Sequence, residues 1–121
     1  MTFNFDNNIP IYLQLVQQLK NHIISGDFKS GERLPSVREL AFQCKVNPNT
    51  MQKALGELEE LKLIYTERTN GKFVTEDKKL IDKFKTEYAD ELSNKYFSMM
   101  ENIGFNKEQT LNYLKQFGGN E

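Results

Sequence analysis

Two helix start signals stand close together near the middle of the chain. Ser36 followed three residues later by Glu39 has the form of a capping box, and Pro35 prevents a helix from entering from the N-terminal side. Asn47 followed by Pro48 is a second N-cap with proline at the first helical position. The sequence therefore predicts a short helix, a tight turn and a second helix that begins at Asn47.

The flanking segments complete this unit. Apolar residues recur every four positions after Pro10 and predict an amphipathic helix that ends near Gly26; they are Ile11, Leu15, Leu19 and Ile23. Residues 63–66 and 72–75 favour β-strands, and the Asn70-Gly71 dipeptide between them is a strong turn signal. The order of helix, short helix, turn, longer helix and hairpin predicts a winged helix-turn-helix.

The remainder of the chain has a helical pattern. A helix of roughly seven turns is predicted after Asp77. Gly104 ends it, and Asn106 with Gln109 forms a capping pair for a last helix that ends at Gly118-Gly119. The predicted fold class is mostly α with a small β-hairpin, in which residues 1–76 form the winged helix-turn-helix domain and residues 77–121 form a two-helix dimerisation tail.

Charge and composition exclude several functional classes. The 16 basic and 17 acidic side chains give a net charge of −1, yet the segment from Lys29 to Lys53 has five cations and two anions, a local balance of +3. The single cysteine and single histidine disfavour a disulfide and a structural metal site, and we expect no cofactor. The sequence contains no Ser/His/Asp set and no phosphate loop, which argues against an enzyme. It also has no signal peptide and no long apolar run, so we expect a cytoplasmic protein without a membrane partner.

Several motifs resemble the GntR family of bacterial transcription regulators over residues 9–74. They are Gly31-Glu32-Arg33-Leu34-Pro35-Ser36-Val37-Arg38-Glu39-Leu40-Ala41, Val46-Asn47-Pro48-Asn49-Thr50, Ala54-Leu55-Gly56-Glu57-Leu58-Glu59 and Gly71-Lys72-Phe73-Val74. The short helical tail is similar to that of the YtrA-type branch. Lys45 and Lys62 stand where the family usually has glycine, so both are expected to adopt a left-handed conformation.

The candidate DNA-binding residues follow from this layout and from the resemblance. In a helix-turn-helix the start of the second helix enters the major groove, where asparagine and glutamine can pair with adenine and arginine or lysine can contact guanine or phosphate. The resemblance implies further contacts from the short helix and from the wing. The full set is Arg33, Ser36, Arg38, Asn47, Pro48, Asn49, Thr50, Gln52, Lys53, Arg68, Asn70, Gly71 and Lys72.

The apolar residues of the tail predict a homodimer, because one short helix is not enough to cover them. The candidate dimerisation residues are Leu80, Ile81, Phe84, Tyr88, Leu92, Tyr96, Met99, Met100 and Ile103. The interpretation is a repressor that binds a pseudo-palindromic double-stranded operator as a dimer. Two alternatives stay open: a winged helix that binds other proteins, and a regulator whose tail forms a pocket for a small-molecule effector, which the sequence does not identify.

Overall fold

The computed structural model describes residues 3–118 and has five helices and one hairpin in this range. The elements are α1 (Ile11–Ile24), α2 (Val37–Cys44), α3 (Pro48–Glu60), β1 (Ile64–Glu67), β2 (Gly71–Val74), α4 (Lys78–Asn102) and α5 (Lys107–Gly118). This mostly helical fold with a two-stranded wing confirms the predicted fold class.

Both predicted start signals operate as helix caps. Ser36 Oγ accepts the Glu39 backbone N–H at 3.1 Å, and Glu39 Oε1 accepts the Ser36 backbone N–H at 3.1 Å. Asn47 Oδ1 accepts the Asn49 backbone N–H at 2.7 Å, and Pro48 occupies the first position of α3. Local hydrogen bonding thus explains where α2 and α3 begin.

Two lysines adopt the left-handed conformation that was expected from the family resemblance. Lys45, between α2 and α3, has φ 56° and ψ 45°, and Lys62, just after α3, has φ 65°. A non-glycine residue in this region costs about 1 to 2 kcal/mol. The turns at both ends of α3 therefore form with lysine in place of glycine.

The wing is a short antiparallel hairpin that is joined to the loop before α2. Ile64 pairs with Val74, and Glu67 pairs with Gly71. A further bridge joins Arg33 to Phe73, and the Leu34 N–H donates to the Lys72 carbonyl oxygen at 2.8 Å. The base of the wing is thereby connected to the segment that leads into α2.

The core lies between α1, α2, α3 and the base of the hairpin. Its fully buried large side chains include Leu15, Leu19, Leu40, Met51, Leu55, Leu58, Leu63, Ile64 and Val74. The predicted stripe on α1 holds except at its start, because Ile11 is 47% exposed at the first residue of the helix.

The segment before α1 is held by two glutamine side chains, which the sequence did not indicate. The Gln18 amide donates to the Asn4 carbonyl oxygen at 2.7 Å and accepts the Asn4 N–H at 3.2 Å. The Gln14 amide bonds in the same way to both backbone groups of Asp6. This pairing fixes an irregular segment onto α1.

The chain divides into two compact units, one up to Phe84 and one from Lys85 onward. The first unit ends later than the predicted boundary at residue 76, because Leu80, Ile81 and Phe84 of α4 pack against its core. The Lys20 ammonium lies 5.3 Å from the centre of the Phe84 ring. These three residues are therefore partly covered within the chain itself, and their predicted role in dimerisation stays a prediction.

The second unit contains the rest of α4 together with α5. Asn106 and Gln109 form the predicted capping pair, with hydrogen bonds of 2.9 and 2.8 Å, and Gly104 has φ 101° after α4. Met100 and Thr110 are buried there. The predicted stop at Gly119 lies outside the described residues. None of the described helices is long and apolar enough to cross a membrane.

Candidate nucleic-acid interface

One face of α3 is polar and exposed, whereas the opposite face is buried. Met51, Ala54, Leu55 and Leu58 pack into the core. Asn49, Gln52 and Lys53 project from the exposed face with the spacing of one helical stripe, Pro48 is exposed at its start, and Thr50 is half-buried. A helix held by its apolar face with polar side chains outward is suited to entering the major groove of DNA.

The asparagines at the start of α3 differ in what they can still bind. The Asn47 side-chain oxygen accepts the Asn49 N–H, which uses one of its two lone pairs and holds this side chain at the start of α3. The side chains of Asn49 and Gln52 are exposed. Asn47 is therefore a structural cap, and Asn49 and Gln52 are better placed for reading bases.

Lys53 packs against α1. Its ammonium lies 4.5 Å from the centre of the Tyr12 ring, a cation–π geometry. The Tyr12 hydroxyl in turn donates to Glu57 Oε2 at 2.8 Å, and this hydrogen bond raises the pKa of Tyr12 above its usual value. Lys53 remains exposed, so its predicted role in binding DNA stays a prediction, with its position influenced by Tyr12.

The start of α2 presents Ser36 and Arg38. The hydrogen bonds from Ser36 to the Glu39 carboxylate lower the pKa of Glu39, which keeps the capping box charged and closed. Arg38 is the second residue of α2, and its side chain is exposed. An exposed guanidinium is a favourable group for contacting phosphate.

A groove of about 670 Å³ runs between the start of α2 and the wing. Its lining includes Arg33, Ser36, Glu39, Arg68 and Lys72. Arg33 and Arg68 contribute positive charge to this groove, and Glu39 and Glu67 contribute negative charge. The two arginines are the groups that a nucleic-acid backbone would contact here.

Gly71 lets the wing approach Arg33 closely. It has φ 102°, and a Cβ at this position would lie 3.2 Å from Arg33 Nε. Asn70, the residue before it, donates from its side chain to Glu67 Oε2 at 3.0 Å, while Arg68 at the tip is exposed. The wing thus presents Arg68 outward and uses Asn70 and Gly71 to form its turn.

Lys72 has a different environment from the one predicted for a DNA contact. Its ammonium donates to Glu59 Oε1 at 2.6 Å and to Thr66 Oγ1 at 2.9 Å. The hydrogen bond from Lys72, and to a smaller extent one from the Thr66 hydroxyl, lowers the pKa of Glu59 below its usual value, which favours the ion pair. The charge of Lys72 is therefore compensated within the protein.

The structure thus brings most of the predicted DNA-binding residues to α2, α3 and the wing, but it adds partners that sequence analysis missed. Tyr12, whose hydroxyl donates to Glu57, contacts Lys53, and Glu59 and Thr66 accept from Lys72. These partners lie on other elements or on another part of α3. The sequence shows that Glu59 and Lys72 have opposite charges. Their spacing along the chain does not show that they meet.

The second unit has exposed apolar residues. Leu92 is 49%, Met99 58% and Ile103 71% exposed. Beside them, an apolar groove of about 470 Å³ is lined by Tyr96, Met100, Tyr113, Leu114 and Phe117. Of the predicted dimerisation residues, Met100 is buried within this unit and Tyr88 is half-buried.

Comparisons with known proteins cover both the full chain and its first part. The chain is 36% identical over 117 residues to the HTH-type transcriptional regulator YhcF of Bacillus subtilis, a match that spans 97% of each chain. It is 45% identical over 73 residues to the HTH-type transcriptional repressor YtrA of the same organism, covering 60% of this chain and 56% of that one.

Solved structures show the same likeness. A GntR family transcriptional regulator from Listeria monocytogenes has a TM-score of 0.85 and 42% identity, covering 93% of this chain and 98% of that one. The AraR DNA-binding domain in complex with its operator ORE1 has a TM-score of 0.53 and 26% identity, covering 62% of this chain and 94% of that one. The model for the family of bacterial regulatory proteins called gntR matches residues 11–74. The chain therefore belongs to the GntR family and is a DNA-binding transcription regulator.

Proposed function

We propose that this protein is a repressor that binds a pseudo-palindromic operator as a homodimer. The observation that carries the proposal is the exposed polar face of α3, with Arg38 and the wing groove beside it. Repression would follow from occupation of promoter DNA. The YtrA relative is named a repressor, and the AraR domain is bound to an operator, which supports the same role here.

In this proposal the contacts divide into base readers and backbone anchors. Asn49 and Gln52 read base edges in the major groove. Pro48 and Thr50 contact the walls of the same groove. The backbone is anchored by the start of α2 and by the groove beside the wing. The anchors are Arg33, Ser36, Lys53, Arg68, Asn70 and Gly71, and the Arg38 guanidinium contacts either guanine or phosphate.

A homodimer is supported by the exposed apolar side chains of the second unit. Burial of Leu92, Met99 and Ile103 would contribute about 1.5 to 3 kcal/mol for each fully buried side chain, before the cost of association. A two-fold partner that covers them also gives the complex two recognition helices, which a pseudo-palindromic operator requires.

A specific observation also favours a second candidate, a small-molecule effector that binds in the tail. The groove lined by Tyr96, Met100 and Phe117 is apolar and has the volume of a small ligand site. Because its walls adjoin the exposed apolar residues, the groove and the dimer surface compete for the same part of the second unit. A protein that proved monomeric would favour the effector role.

The salt dependence of DNA binding tests the proposed function. If Arg33, Arg38, Lys53 and Arg68 of both chains each release one counterion, the slope of log K against log salt should be about −7. A gel-shift titration over a salt series with promoter DNA from its own operon and a scrambled duplex measures this slope. Equal weak binding to every duplex would refute the operator and favour the protein-interaction role.

Replacement of Gln52 by Ala should relax base preference. If the Gln52 amide makes a two-bond contact with adenine, its loss costs about 1 to 3 kcal/mol on the native operator and much less on an operator mutated at that base pair. Competition among operators with single base changes measures the difference. An equal loss on every sequence would assign Gln52 to the backbone.

A further inference from the structure

Lys72 connects three elements through its ammonium group. It belongs to β2, its ion-pair partner Glu59 lies in the last turn of α3, and its second acceptor Thr66 lies on β1. The Lys72 side chain is 18% exposed and that of Glu59 is 35% exposed. The contact is therefore partly shielded from solvent, where an ion pair is screened less than on an open surface.

The wing needs such a connection. A two-stranded hairpin is marginally stable alone, so its direction depends on what holds its base. The backbone bonds of Leu34 and Arg33 fix β2 from the side of α2. The Lys72–Glu59 pair is a side-chain link between β2 and α3 itself, so it relates the wing to the recognition helix.

A lysine in this environment is poorly suited to binding phosphate. An ammonium that contributes to DNA affinity does so by replacing counterions around the duplex. Lys72 would first have to give up a 2.6 Å contact with a carboxylate. Its removal from that contact would also leave the Glu59 carboxylate uncompensated close to the DNA.

We propose that Lys72 and Glu59 are positioning residues that hold the wing in register with the recognition helix, and that neither contacts DNA. The proposal rests on the proposed function, because it assigns how the same interface is organised. The pair orders the backbone of the wing before DNA arrives. Arg68 can then reach the DNA backbone with a smaller loss of conformational entropy in the wing. The two roles for Lys72 predict opposite effects when Glu59 loses its charge.

The decisive variant is Glu59→Gln, with Glu60→Gln as its matched control. Both remove one negative charge from the end of α3, but Glu60 is exposed and Lys72 bonds to Glu59. If Lys72 positions the wing, Glu59→Gln should bind the operator about three- to tenfold more weakly than Glu60→Gln, with equal affinity for a scrambled duplex. If Lys72 contacts phosphate, Glu59→Gln frees its ammonium and should bind more tightly than the control.

The full-length protein and these variants should be compared by fluorescence anisotropy over a salt series. Lys72→Met should weaken operator binding by a similar factor, with the salt slope unchanged, and the double variant should be no weaker than either single variant. A slope that falls by about 1 in Lys72→Met would instead identify a phosphate contact and overturn the proposal. Thermal unfolding would establish that each variant is folded at the temperature of the assay.

Amide hydrogen exchange without DNA separates this proposal from the proposed function. Exchange in residues 64–74 should be faster in Glu59→Gln than in Glu60→Gln, because the link that holds the wing is weakened. Equal exchange in the two variants would overturn the positioning role, even in a protein that binds its operator. A wild-type protein without preference for the operator would refute the proposed function, while exchange would still report on the wing.

Discussion

A chain that carries Leu92→Glu, Met99→Glu and Ile103→Glu is expected to be monomeric and to bind its operator about 10²- to 10⁴-fold more weakly than the wild type. These side chains are exposed in the single chain, so carboxylates can replace them without disturbing its core. At a dimer contact the same carboxylates would be desolvated and would repel one another. Light scattering and operator titration measure the two effects.

The added negative charge needs its own control. Ser93→Glu, Asn94→Glu and Ser98→Glu add the same charge at exposed positions on other faces of α4. This control should remain dimeric and lose only the affinity that general repulsion from DNA explains. A wild-type protein that is monomeric at micromolar concentration would refute the homodimer and leave the effector groove as the explanation of the apolar tail.

Replacement of Arg38 by Ala is expected to abolish specific binding while helix content stays unchanged. If the Arg38 guanidinium makes a two-bond contact with guanine, each protomer would lose about 1 to 3 kcal/mol, so the dimer would lose about 2 to 6 kcal/mol in total. The fold should tolerate the change because the Arg38 side chain is exposed and the α2 cap is formed by Ser36 and Glu39. Circular dichroism and competition between operator and scrambled duplexes provide the measurements.

Two further variants make the result for Arg38 specific. Arg38→Lys keeps the charge but loses the forked donor geometry, so it should retain non-specific binding and lose part of the operator preference. Gln43→Ala, at an exposed position on another face of α2, should bind as the wild type does. Normal operator affinity in Arg38→Ala would place the interface on a different face of the protein.

Features set by local chemistry could be predicted from the sequence. The starts of α2 and α3 depend on side chains that bond to backbone groups two or three residues away, and such short spacings are visible in the chain itself. The same is true of the capping pair before α5. The left-handed turns at Lys45 and Lys62 were also predictable, but only from the resemblance, because the family usually has glycine at both positions.

The role of the apolar stripe on α4 was predictable only in part, for a geometric reason. Four residues turn an α-helix by about 400°, so a stripe with four-residue spacing drifts by about 40° at each step. Leu80 and Leu92 therefore point about 120° apart. Leu80 packs on the core of the first unit, whereas Leu92 and Met99 are exposed in the second unit.

The partners of the candidate lysines could not be found from spacing. Tyr12 meets Lys53 only because α1 and α3 cross in the folded chain, and Glu59 meets Lys72 only because the hairpin folds back towards α3. Sequence patterns identify a cation near the interface, but tertiary packing determines whether its charge faces DNA or a neighbouring carboxylate. Sequence patterns therefore indicate which cations lie near α3 and the wing, and the folded chain adds which of their charges are already paired.

The two left-handed lysines, one at each end of α3, affect the stability of the protein and its affinity for DNA in opposite directions. Glycine at residue 45 or 62 would relieve backbone strain, yet each change would also remove a positive charge from the turns that flank the recognition helix. Turns with less backbone strain would therefore carry less positive charge beside α3. Selection for tight binding and selection for heat resistance would favour different residues at the same two turns.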